Sequence, residues 1–112
     1  MNIKRQPRDS IMVLQISGDI MGGPDFEKFK GEISSLVEAG FVDVVLDLGR
    51  TRYINSTGLG ILVSGLHTIR KNDGTIRIAN LNDRIDRIFA VTDLSSVFQV
   101  YESVDEALAS YE

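Results

Sequence analysis

A chain of 112 residues, 43% hydrophobic and 25% charged, has room for one compact domain and lacks the composition of a disordered segment. Without cysteine it has neither disulfide staples nor thiolate metal ligands, and with a single histidine, His67, a metal site would have to be built from carboxylates. The net charge of -4, with acids and bases interspersed, argues against nucleic acid as a partner, because phosphate binding draws on concentrated lysine and arginine.

The opening stretch MNIKRQPRDS lacks the apolar run of a signal peptide, and its Lys4, Arg5 and Arg8 read as a solvated end. No later segment reaches the ~18 to 20 apolar residues that cross a bilayer, so a cytoplasmic protein without membrane insertion is expected. These first residues are a candidate edge strand. Residues 10–17, SIMVLQIS, are apolar and rich in branched side chains, a strand that ends at Gly18-Asp19. GGPDFEKFKGEISSLVEAG follows, with a proline where a helix can begin and Gly40 as its stop. Its Phe26, Phe29, Ile33, Leu36 and Val37 fall on one face, predicted to be inward. Residues 41–48, FVDVVLDL, alternate little, which suits a central strand covered on both faces.

A second helix carries Leu59, Leu62, Val63, Leu66 and Ile69 on its inner side and ends near Asn72-Asp73-Gly74. Residues 75–81, TIRIANL, alternate as a strand. Asp83 is placed to cap the next helix, with Ile85, Ile88 and Phe89 inward. Residues 97–101, VFQVY, form a last short strand, and Ser103 with Glu106 makes a capping box for a closing helix. Strands alternating with helices of this length predict one α/β domain over residues 1–112, with right-handed crossovers.

The stretch INSTGLGIL, residues 54–62, stands out. Asn55, Ser56 and Thr57 fall where a strand exit meets a helix start, and their simplest role is capping. Capping leaves Gly58 and Gly60 unexplained, each costing ~1 kcal/mol against alanine in a helix. Bare backbone at a helix amino terminus lets an anion or another protein approach closely. With Leu59, Leu62, Val63 and Leu66 turned to the sheet, the outward face carries Thr57, Gly60, Ile61, Ser64 and Thr68, small and uncharged until Lys71. That composition predicts a docking surface with Ile61 as its apolar anchor.

Catalytic and nucleotide-loop readings fail on spacing. GLGILV lacks the third glycine or alanine of a dinucleotide fingerprint, and no Gly-Lys-Ser/Thr follows. Ser56 has no base within reach, since His67 lies about 16 Å along the same helix. Asp19, Asp43 and Asp47 stand beside strand ends, where carboxylates ordinarily form turns or salt bridges. No catalytic residue, metal or cofactor is expected.

The series VVLDL, INSTGLGIL, IRIANL, RIFAVTDLSSVF and SVDEALA, spanning about residues 11–109, resembles the STAS domain and, within it, the bacterial anti-sigma factor antagonists. The family's centrepiece is Asp-Ser-Ser/Thr-Gly-Leu-Gly. The resemblance implies four β-α units and a mixed, mainly parallel sheet of four to five strands flanked by helices. It also implies a mechanism. The unphosphorylated antagonist binds an anti-sigma factor that is a serine kinase and frees the sigma factor. Phosphorylation of the first hydroxyl of the motif, here Ser56 with Thr57 as the adjacent alternative, breaks that complex, and a serine phosphatase restores it. Taken with the outward face of the helix, this gives Asn55, Ser56, Thr57, Gly58, Gly60, Ile61, Ser64 and Thr68 as the expected partner-binding residues, and Arg50 and Arg52, just upstream, are placed to steer an acidic partner or pair with the phosphate.

Asn55 departs from the family's Asp, removing both a carboxylate that a kinase would meet and its repulsion of a phosphoserine. That departure motivates an alternative, a non-phosphorylated interaction or scaffold subunit such as one of a lipid-transport complex. A small-ligand or nucleotide-binding domain using the helix amino terminus is a third reading. A monomer is the simplest expectation at this size.

Overall fold

Asp9, in the left-handed region at φ 55, turns the chain so tightly that residues 2–8 fold back on the strand that follows them. In the computed structural model, which describes residues 1–112, β1 (Asn2–Arg8) pairs antiparallel with β2 (Ile11–Ser17), from Asn2 opposite Ser17 to Arg8 opposite Ile11. The chain then alternates through α1 (Pro24–Glu38), β3 (Asp43–Arg50), α2 (Ser56–Lys71), β4 (Thr75–Ala79), α3 (Asp83–Val91), a 3-10 turn at Leu94–Ser96, β5 (Gln99–Tyr101) and α4 (Val104–Ala109).

The five strands lie in the order β1-β2-β3-β4-β5, and every pair after the first is parallel. The edge strand at residues 2–8 is therefore real, and β3 is central as its apolar run predicts. Successive crossovers that all step the same way put α1, α2 and α3 on one face of the sheet. Phe29, Ile33 and Leu36 of α1, Leu62, Leu66 and Ile69 of α2, and Ile85 and Phe89 of α3 close there over Leu14, Leu46 and Ile78. A smaller cluster of Val13, Val45, Ala79 and Ala107 lies on the opposite face beneath α4.

Three predicted details are corrected. The cap of α3 is Asn82, not Asp83: its Oδ1 accepts from Ile85 N–H at 2.8 Å, while its Nδ2 donates to Thr51 O at 3.0 Å, and Asp83 is the first helical residue. The second bond reaches across to the β3–α2 connection, which Asp83 on the outside of the helix does not. The strand predicted over residues 75–81 ends at Ala79, because Asn80 takes φ 64 to bring its Nδ2 to Asp47 Oδ1 at 3.0 Å. Phe26 is exposed, since the first turn of α1 runs out past the cleft between α1 and α2 and leaves its ring at the rim.

Ser103 caps α4 as predicted, and the Glu106 carboxylate reaches back one residue further, to Glu102 N–H at 3.2 Å. Tyr111 follows α4 and sets its hydroxyl 2.9 Å from both Val44 O and Thr75 O, tying the tail to β3 and β4. No helix of the structure is long and apolar enough to cross a membrane.

Candidate docking site at the tip of α2

Beyond the paired part of β2 and β3, their two outgoing loops continue side by side. Gly18 N–H donates to Arg50 O at 3.1 Å and Ile20 N–H to Tyr53 O at 3.0 Å, and Ile20 bridges Ile54 in parallel. Thr51, almost fully buried, anchors the pair from below by donating its hydroxyl to Ile16 O at 2.9 Å. Both loops lie at the carboxyl ends of parallel strands, where open α/β sheets carry their sites. The predicted residues Arg50, Arg52 and Asn55 to Gly60 all belong to this end of the molecule.

Asn55 is the N-cap of α2, extended at φ -92 and ψ -179. Its Oδ1 accepts from Gly58 N–H at 2.7 Å, and its Nδ2 donates to Met21 O at 2.8 Å. Ser56 is the first helical residue and Thr57 the second; both are exposed. The Thr57 methyl lies against Gly22, 2.7 Å from where a Cβ would stand on that glycine. The first turn of α2 contains no acidic residue, so its unpaired N–H groups and the helix dipole leave the tip electropositive.

The two motif glycines serve different ends. Gly60 is exposed, and a Cβ on it would find no neighbour within 4 Å, which fits a bare surface. Gly58 is buried, and a Cβ there would overlap the Ile20 carbonyl and crowd Ile54. Its bareness serves the packing of the two loops rather than the surface predicted for it.

Ile61 is also corrected: it is 3% exposed and belongs to the main core, so it is no surface anchor. A projection that turns α2 only toward the sheet misses its second contact, with α1. Gly65 receives the Phe29 ring so closely that the helices touch along this line. Ile61, Ser64 and Thr68 come together lining the α1–α2 cleft opposite Phe26, Phe29 and Ile33. Ser64 is exposed, and Thr68, half-buried, donates its hydroxyl to Ser64 O at 3.2 Å. The cleft holds a free volume of about 10 Å³. That is far below the ~300 Å³ at which small-molecule pockets begin.

The apolar surface of the tip lies elsewhere, on residues that the helical projection does not reach. Met21 is 45% exposed and Tyr53 39%, one on each loop beside Asn55. Arg52 and Tyr53 are both exposed between the buried Thr51 and Ile54, so no alternation in the sequence marks Tyr53 as outward. Met21 has only its place before two glycines to recommend it. Arg50 and Arg52 are both exposed, and Arg52 stands with Nε 4.0 Å from Asp19 Oδ1, a separation and exposure at which an ion pair contributes little. Asp47 is a turn former: its Oδ1 accepts from Gly49 N–H and Asn80 Nδ2, both at 3.0 Å.

The family model of the STAS domain matches residues 2–107. The chain belongs to the STAS domain family. The anti-sigma-B factor antagonist of Staphylococcus aureus (strain NCTC 8325 / PS 47) is 28% identical over 107 residues, covering 94% of this chain and 96% of that protein. Among solved structures, an anti-sigma factor antagonist from Mycobacterium paratuberculosis superposes with a TM-score of 0.83 at 23% identity, over 97% of this chain and 92% of that one. The Bacillus cell fate determinant SpoIIAA in its phosphorylated form superposes with a TM-score of 0.73 at 14% identity, over 99% and 100%. These two likenesses establish the fold of the STAS domain, and its mixed sheet is the one described above.

Proposed function

We infer that this STAS domain is an anti-sigma factor antagonist whose docking surface is the tip of α2, and that phosphorylation of Ser56 switches its binding off. The partner is an anti-sigma factor with serine kinase activity; a serine phosphatase restores the binding form, and the exchange takes place in the cytoplasm. The observation that carries this reading is the placement of Ser56: an exposed hydroxyl on the first residue of a helix with no acid in its first turn, next to the Asn55 cap whose amide holds the loop of the exposed Met21.

A kinase can reach that hydroxyl without the fold opening. Once attached, a phosphate brings about -1.5 to -2 charges into the middle of an apolar contact, where desolvation opposes association, while the helix dipole tolerates it within the free protein. The name of the staphylococcal relative, matched over nearly its whole length, and the phosphorylated state of SpoIIAA support the same reading.

The test is incubation of the purified protein with ATP and an anti-sigma factor kinase of its own cell, read by intact mass. One phosphate should be added, and none to Ser56→Ala; a phosphate retained by that variant counts against the assignment. Asn55 favours a second reading, because both ends of its amide are engaged within the fold and no carboxylate is offered to a kinase. As an unphosphorylated scaffold the domain would keep its partner in Ser56→Glu.

A further inference from the structure

The loop that carries Met21 is weakly held by its own sequence. Gly22 and Gly23 stand at φ 107 and 59, and the start of α1 has no side-chain cap. Met21 itself is held from both sides: Asp25 Oδ2 accepts its N–H at 3.1 Å, and its carbonyl accepts from Asn55 Nδ2 at 2.8 Å. The Asn55 N–H adds a bond to Ile20 O at 3.3 Å. Two bonds from Asn55 therefore join the loop to the cap of α2, and of these only the one to Met21 O depends on the side chain.

We propose that Asn55 is a positioning residue: its amide locks the loop of residues 18–23 to the tip of α2, so that Met21 and Ser56 form one docking surface. The role of that surface rests on the function proposed above; the lock itself does not. An amide is required because the two bonds are of opposite sense. A carboxylate of the same shape keeps the acceptor for Gly58 N–H but turns its second oxygen, an acceptor, toward the Met21 carbonyl, also an acceptor. Two acceptors at hydrogen-bond distance repel, and the loop moves away. A protonated carboxyl regains a donor, so the lock in Asn55→Asp re-forms as pH falls. The charged groups around this corner are Asp25 of α1 with the Met1 ammonium 3.6 Å from its Oδ1, Asp19 and Arg52 of the flanking loops, and Arg50 at the end of β3; the first turn of α2 supplies no acid. These groups are the same in wild type and variant, so the comparison between them isolates residue 55.

The experiment is amide hydrogen exchange, expressed as protection factors, on wild type, Asn55→Asp and Asn55→Ser. At neutral pH protection at residues 20–23 falls about tenfold in both variants, the loss expected for one hydrogen bond. Serine still caps the helix but is too short to reach Met21 O, so its loop stays loose at every pH. Asn55→Asp recovers protection below about pH 4, where carboxyls protonate. Unchanged protection at residues 20–23 in Asn55→Asp at neutral pH would overturn the proposal, and so would a loosening in that variant that does not respond to acid. Neither readout uses a partner, so the antagonist reading fails or stands on its own test. Where an anti-sigma factor is bound, Asn55→Asp weakens it at neutral pH by a similar factor; full binding with a loosened loop would remove Met21 from the docking surface.

Discussion

The Cα of Gly58 faces the carbonyl oxygen of Ile20 with no room between them for a methyl group. This contact fixes how closely the loop after β2 approaches α2, and it separates two glycines that look alike in the sequence. Gly58→Ala should destabilise the fold by about 2 kcal/mol or more, because the obstructing atoms are backbone and do not turn aside. Gly60→Ala meets open space within a helix and should stabilise by about 0.5 to 1 kcal/mol. Urea unfolding of the two variants checks the opposite signs; equal losses would return both glycines to a shared role.

Ile61 is buried although a helical projection makes it a surface anchor, and the exposed Met21 is a residue that the projection does not reach. Ile61→Ala empties a core position between α1 and α2 and should cost about 2 to 4 kcal/mol. Met21→Ala, on an exposed side chain, should stay within about 0.5 kcal/mol of wild type. Partner binding should reverse the order, with folded Ile61→Ala protein binding normally and Met21→Ala binding weakly. Unfolding midpoints and binding titrations on the same samples decide it.

What the sequence reveals here is whatever depends on one segment at a time. The apolar run of β3, the stripe of α2 and the Ser103 cap each carry a local signature, and all three are found, β3 two residues further on than expected, at Asp43–Arg50. What escapes is whatever depends on two segments meeting. The burial of Ile61 comes from α1, the constraint on Gly58 from the loop after β2, and the choice of Asn82 over Asp83 as cap from a bond to Thr51 in another loop. The motif points to Ser56, but the exposed Met21 is brought to this tip only when two loops meet, through the pairing of Ile20 with Ile54 and the Asn55 amide.

Ser56→Asp should separate stability from function. A carboxylate on the first helical residue lies at the positive end of the dipole, where no acid now stands, and should add about 0.3 to 1 kcal/mol. The same charge, at the proposed docking tip, should weaken anti-sigma factor binding at least tenfold. A variant that loses binding and stability together would assign the effect to misfolding instead. Thermal unfolding beside a binding titration distinguishes the outcomes.

Tyr111 offers a check on the far side of the sheet. Burial, with Asp43 adding to it, pushes its hydroxyl well above the usual tyrosine range, against the opposing pull of the Arg77 guanidinium 4.0 Å over its ring. Folded protein therefore holds the proton more tightly than the unfolded chain does. Below about pH 10 both states are protonated and this preference does not change stability. Above it the unfolded chain releases its proton first, so wild-type stability falls as pH rises. Tyr111→Phe gives up the bond to Val44 O and Thr75 O, a loss of about 1 kcal/mol at neutral pH, but has no proton to release. The gap between wild type and Tyr111→Phe should hence be constant from neutral pH to about 10 and close above it. Urea midpoints for both proteins across that range measure the gap directly. A gap that stays constant at alkaline pH would mean that the hydroxyl is not held between the two carbonyls in solution.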